Sequence, residues 1–114
     1  MTKPVGPYTP VMRVGDWVIC SGQIALVDGA ITGDTVGAQV TQALANMAGL
    51  LESEGVSLSD VVKTTVFLID PRDYAEMDAA YRARFSDPLP AREAVFVAGL
   101  PKQARVEISA IACD

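Results

Sequence analysis

Val61-Val62-Lys63-Thr64-Thr65-Val66-Phe67-Leu68-Ile69-Asp70-Pro71 is the stretch on which the fold turns. From Val61 to Ile69 the side chains are β-branched, aromatic or aliphatic, the composition of a strand. Asp70-Pro71 then starts a helix, with the aspartate as cap and the proline at the first position, where its missing N–H costs nothing. The strand is apolar on both alternating faces, interrupted mainly by Lys63 and the threonines. Both faces of the sheet it joins therefore need cover. Lys63 itself reads as a solvated side chain on an exposed strand edge rather than as a site residue.

Downstream of Pro71, Tyr74, Met77, Tyr81 and Phe85 lie along one helical face, and Asp87-Pro88-Leu89-Pro90 ends that helix. Pro90-Ala91-Arg92 then opens a strand-like run, Glu93 to Ala98. Gly99-Leu100-Pro101-Lys102 turns the chain, and Arg105 to Ala112 reads as a second strand. The expectation is a hairpin that carries Arg92 at its start and Glu107 on the return strand. A guanidinium grips a carboxylate in bidentate fashion, and a carboxylate nearby can orient a water, so Arg92 and Glu107 are the candidate chemistry.

Upstream, Val40, Ala43, Leu44, Met47, Leu50 and Leu51 recur at helical steps between Val36 and Glu54. Asp34 or Thr35 caps that helix and Gly55 stops it. Val11–Val14 and Trp17–Ser21 flank Gly15-Asp16 as a hairpin. Ile24–Val27 and Ala30–Thr32 flank the turn Asp28-Gly29. The order is β-β-(β)-α-β-α-β-β, an α+β single domain over residues 1–114 with a mixed sheet. Two helices cover one face of such a sheet. The other would be a large apolar patch, which predicts a homo-oligomer with sheet faces packed together.

The totals restrict function. The 114 residues carry a net charge of −5, which argues against a nucleic-acid binder tracking phosphates. No apolar run approaches the roughly 20 residues that span a bilayer, and Met1-Thr2-Lys3-Pro4 lacks the apolar core of a secretory signal. The expected compartment is the cytoplasm. Cys20 and Cys113 form no CxxC pattern and read as reduced thiols, Cys20 as a small core residue. The chain has no histidine, which removes Ser-His-Asp and Cys-His catalysis and zinc sites of the Cys/His kind.

Six short segments fall in the order seen in the reactive intermediate deaminase (Rid, YjgF-like) family, which the chain resembles from Gly6 to Ala112. They are Gly6-Pro7-Tyr8, Ser21-Gly22-Gln23, Val62 to Phe67, Pro90-Ala91-Arg92, Leu100-Pro101-Lys102 and Val106-Glu107-Ile108. The resemblance implies a chorismate-mutase-like fold, a homotrimer with ligand sites in clefts between subunits, and hydrolysis of 2-imino acids to 2-oxo acids and ammonia without metal or cofactor. It assigns Arg92 to the substrate carboxylate and Glu107 to the attacking water. Tyr8 and Ser21 are assigned to the lining of the same cleft. Departures from the family pattern are Glu93-Ala94 in place of Ser-Cys, Asp78 in place of a common asparagine, Gly99, Ser109 and a shorter loop from Val27 to Gly33. The alternative function is a non-catalytic protein that binds or senses a small carboxylate, such as a 2-oxo acid, in that cleft. Ribonuclease activity fits poorly with the acidic charge, the missing histidine and the lack of an aromatic-basic platform.

Overall fold

Thr35 begins the first helix by accepting a hydrogen bond from the Ala38 N–H at 3.1 Å, satisfying one of the free donors of the first turn. Helix α1 runs Val36–Ser53 and ends before Gly55, whose φ of +81° places it where side chains are disfavoured. All six residues of the expected apolar stripe are buried. The computed structural model describes residues 4–114. The N-terminal reading on Met1–Lys3 lies outside the described residues.

Strands β1 (Val11–Val14) and β2 (Trp17–Gln23) form the expected hairpin, and β3 (Leu26–Val27) with β4 (Ala30–Ile31) forms a short ribbon of its own. The pivotal stretch is strand β5 (Val61–Leu68). Asp70 caps through the Arg72 N–H at 2.9 Å, a single 3-10 turn follows over Pro71–Asp73, and helix α2 covers Tyr74–Arg82. The second helix is shorter than expected and stops well before Pro88. Phe85 still packs on Tyr81, ring centroids 4.6 Å apart, so the apolar face outlasts the helix. Strands β6 (Ala91–Phe96) and β7 (Val106–Cys113) complete the chain.

The expected hairpin of the last two strands does not form. The sheet order is β1-β2-β7-β5-β6, with β6 parallel to β5 at the edge and β7 antiparallel between β2 and β5. The reason lies in the connections. A strand followed by a helix crossover returns parallel, so β5-α2-β6 sets β6 on one side of β5. That leaves the facing edges of β2 and β5 unpaired, and β7 fills both. The turn at Leu100–Gln103, with Lys102 and Gln103 at φ 58°, carries the chain past β5 rather than back along β6. Strand β5 is interior, so Lys63 is not on an edge; its ammonium forms an ion pair with Glu93 of β6, two residues beyond its register partner Ala91.

Both helices pack on one face, where Val18, Val66, Leu68, Val106 and Ile108 meet Leu44, Met47, Leu51 and Met77 at full burial. Each such side chain contributes roughly 1.5–3 kcal/mol by leaving water. Cys20 belongs to this core, and burial pushes its thiol up to about 12. The opposite face keeps Met12, Val14, Trp17, Ile19, Val95 and Ile111 exposed.

Candidate functional site

The bulge in β2 between Cys20 and Gln23 builds the first half of the site. It turns Ser21 and Gly22 toward a cleft of about 330 Å³, walled by Val5, Tyr8, Pro10, Ile24, Leu26 and Pro101, with Glu107 of β7 at its side. Ser21 Oγ donates to the Thr9 carbonyl at 2.7 Å, and the Ser21 N–H donates to Pro10 O at 2.8 Å. These two bonds hold the segment that carries Tyr8 against β2. Tyr8 Oη accepts from the Val5 N–H at 3.4 Å, and its ring is partly exposed on the cleft wall. Ser21 has spent its proton but keeps lone pairs for a ligand donor.

Glu107 is half-buried, and that burial pushes its carboxyl above the ordinary glutamate value. A desolvated carboxylate is a stronger proton acceptor than one in water. Gly22 makes its position possible. A Cβ at Gly22 would overlap the Glu107 carboxylate, so the glycine here serves close approach rather than a special backbone angle.

Arg92 stands elsewhere in the protomer. Its ladder partner on β5 is Thr64, which is fully buried on the helical face and hydrogen-bonds Tyr81 of α2 at 2.7 Å. Glu107 pairs with Phe67, one pleat out of phase, and points to the open face. Arg92 and Glu107 therefore lie on opposite faces of the sheet within one chain. The Arg92 guanidinium rests over the Tyr81 ring, 4.8 Å from its centroid, donates through Nη2 to Tyr74 Oη at 2.9 Å, and is ion-paired with Asp78 Oδ1 at 2.8 Å. Burial opposes its charge, but the hydrogen bond and charge of Asp78, with help from Tyr74, outweigh it and raise its pKa. A second cleft of about 210 Å³ opens beside it, lined by Asp78, Tyr81, Arg82, Leu89 and Pro90.

The candidate residues thus fall into two groups: Tyr8, Ser21 and Glu107 around one cleft, and Arg92 on the edge strand at another. Tyr74 and Tyr81, which brace Arg92, were missed as site residues. Their helical spacing announced core, and only Tyr81 is core; Tyr74 is exposed beside the guanidinium. Gly22 stands in the segment Ser21-Gly22-Gln23, with no signal in the sequence that Glu107 would lie against it.

Comparison with known proteins covers the whole chain. The family described as Endoribonuclease L-PSP matches residues 1–114. A RutC family protein of Pyrococcus horikoshii is 41% identical over 112 residues, covering 96% of this chain and 89% of that protein. The 2-iminobutanoate/2-iminopropanoate deaminase of Salmonella typhimurium is 43% identical over 113 residues, covering 95% of this chain and 88% of the enzyme. Among solved structures, RidA from an Antarctic Psychrobacter superposes with a TM-score of 0.95 at 38% identity, over 98% of this chain and 92% of that one.

Proposed function

The chain belongs to the family described as Endoribonuclease L-PSP, the YjgF/Rid family, and on that premise we propose that it is a homotrimeric imine deaminase acting without metal or cofactor. The relatives named 2-iminobutanoate/2-iminopropanoate deaminase support this reaction class. The observation that carries it is Glu107, a burial-activated carboxylate beside Tyr8 and Ser21 in an apolar-walled cleft. The substrate is a 2-imino acid, held between subunits. Arg92 of one subunit takes its carboxylate, and Glu107 of the next directs the water. Two features favour this sharing: Arg92 lies on the edge strand, and the face beside Glu107 is apolar and open.

In the reaction, Glu107 accepts a proton from water as the oxygen attacks the imine carbon. From a protonated imine the adduct is a neutral carbinolamine; its nitrogen takes that proton, its hydroxyl proton passes to Glu107 as the C–N bond breaks, and ammonia and a 2-oxo acid leave. The imine is already electrophilic, so positioning and one proton shuttle account for the chemistry. The family description names a ribonuclease; the net charge of −5 and the absence of histidine weigh against that activity here.

The test couples an amino-acid oxidase to semicarbazide trapping of its imine product, with native protein, Arg92→Ala and Glu107→Gln compared. Faster imine loss with the native chain alone is the expected result. Undiminished trapping across a panel of amino acids, alongside measurable 2-oxo acid binding, would replace the enzyme with a small-carboxylate binding protein.

A further inference from the structure

A bidentate grip on a carboxylate takes two guanidinium nitrogens side by side, either Nη1 with Nη2 or Nε with Nη2. Both arrangements need Nη2. In this protein Nη2 of Arg92 is already engaged twice: it donates to Tyr74 Oη at 2.9 Å and is ion-paired with Asp78 Oδ1 at 2.8 Å. The Arg92 side chain is 19% exposed and that of Asp78 is 52% exposed. The guanidinium is thus fixed against the protein while the carboxylate beside it still faces the cleft. The other cation of that cleft, Arg82, is matched by Asp87 at 3.7 Å. The cleft around Arg92 is charge-balanced before any ligand arrives.

On the reading that Arg92 is the carboxylate clamp, we propose that Asp78 sets the ligand selectivity of the site. An acid that brings only negative charge must contend with Asp78 for Nη2, and like charges in one cleft repel. An acid with a cationic nitrogen on the carbon next to its carboxylate brings a partner for each: its carboxylate for Arg92 and its nitrogen for Asp78. The favoured class is therefore the iminium or ammonium form of a 2-substituted acid, and the disfavoured class is the plain 2-oxo acid. Hydrolysis removes that positive charge, so the product binds more weakly than the substrate and leaves. Tyr74, a neutral acceptor on the same nitrogen, fixes the geometry without contributing to this discrimination.

The experiment is calorimetric titration of the intact oligomer with two probes, L-alanine and pyruvate. Native protein, Asp78→Asn, Asp78→Ala, Tyr74→Phe and Arg92→Ala are compared. The native protein is expected to favour alanine by up to about fivefold, the upper range for a half-exposed ion pair. Asp78→Asn and Asp78→Ala are expected to tighten pyruvate binding and erase the preference, while Tyr74→Phe retains it. An unchanged ratio in both Asp78 variants, with Arg92→Ala weakening both probes, would overturn the role of Asp78 and leave the carboxylate clamp standing. A Tyr74→Phe effect equal to that of Asp78→Asn would overturn the charge account. Equal binding to Arg92→Ala and native protein, or no binding to native protein, would overturn the clamp and the inference together.

Discussion

Gly22 has no room for a side chain, because the Glu107 carboxylate occupies the space that a Cβ would need. Gly22→Ala is therefore expected to displace that carboxylate while the sheet survives. A misplacement of about 1 Å costs on the order of 10²-fold in rate. Full imine turnover by a correctly folded Gly22→Ala would mean that the placement of Glu107 does not matter. Glu107→Gln is expected to lose about 10²- to 10⁴-fold in rate. Its stability should move the other way. The folded-state pKa of Glu107 is raised by burial, so the native state holds its proton more tightly than the unfolded chain does. That contribution to stability is present in full below the unfolded value and is lost as pH rises through the folded one. At neutral pH the ionised carboxylate is held at a cost that the amide escapes. Glu107→Gln should therefore melt above the native protein near pH 7, and the difference should shrink toward pH 3. A gain that persists at low pH would contradict the burial account. Residue type and local pattern single out Arg92 and Glu107 as candidates, and their roles stand as proposals. Asp78 and Tyr74 were not recognisable as partners of Arg92, because they come from a helix rim and meet it only through the β5-α2-β6 crossover.

At the scale of elements, periodicity and turn chemistry located the helices and strands but not their pairing. Local signals around Gly99-Leu100-Pro101-Lys102 fit a hairpin, whereas the choice between β6 and β5 as neighbours of β7 is settled by ladders formed far along the chain. Gln39 is one of the residues that secures the outcome. It is buried at 5% exposure on α1, its Oε1 accepts from the Arg105 N–H at 2.9 Å, and its Nε2 donates to Gly33 O at 3.1 Å. The Arg105 side chain adds two hydrogen bonds to Asp73, at 2.7 and 3.2 Å, just before α2. The entry to β7 is thus tied to both helices. Gln39→Leu would leave a backbone donor and a carbonyl without partners, at about 1–3 kcal/mol each before any relaxation. Urea unfolding should register a total loss of at least about 1 kcal/mol. A loss below about 0.5 kcal/mol, the range of ordinary surface changes, would show that this tie does not hold β7 in place.

The whole molecule presents the consequence that the β5 sequence announced: a sheet covered by helices on one face and apolar on the other. The α+β architecture, with its two helices on one face, agrees with the relatives. The second copy that covers the open face follows from the same pattern as a proposal, since packing between subunits leaves no separate mark in one chain. Ile19 and Trp17 lie in that face and are 45% and 49% exposed. Light scattering is expected to give three copies of the 12.0 kDa chain. Ile19→Glu, which buries a charge in the contact, should release single copies with unchanged circular dichroism. A native protein that scatters as one copy would remove the shared site altogether.

The central claim is that the site is shared, with Arg92 from one subunit and Glu107 from its neighbour. Complementation tests it most directly. Arg92→Ala and Glu107→Gln chains, each without activity alone, are refolded together from denaturant, and mixed trimers are verified by mass. Random cyclic trimers place one intact site in each mixed assembly. Imine hydrolysis should then return to about a quarter of the native rate. Verified mixed trimers that are as inactive as their parents would contradict the shared site.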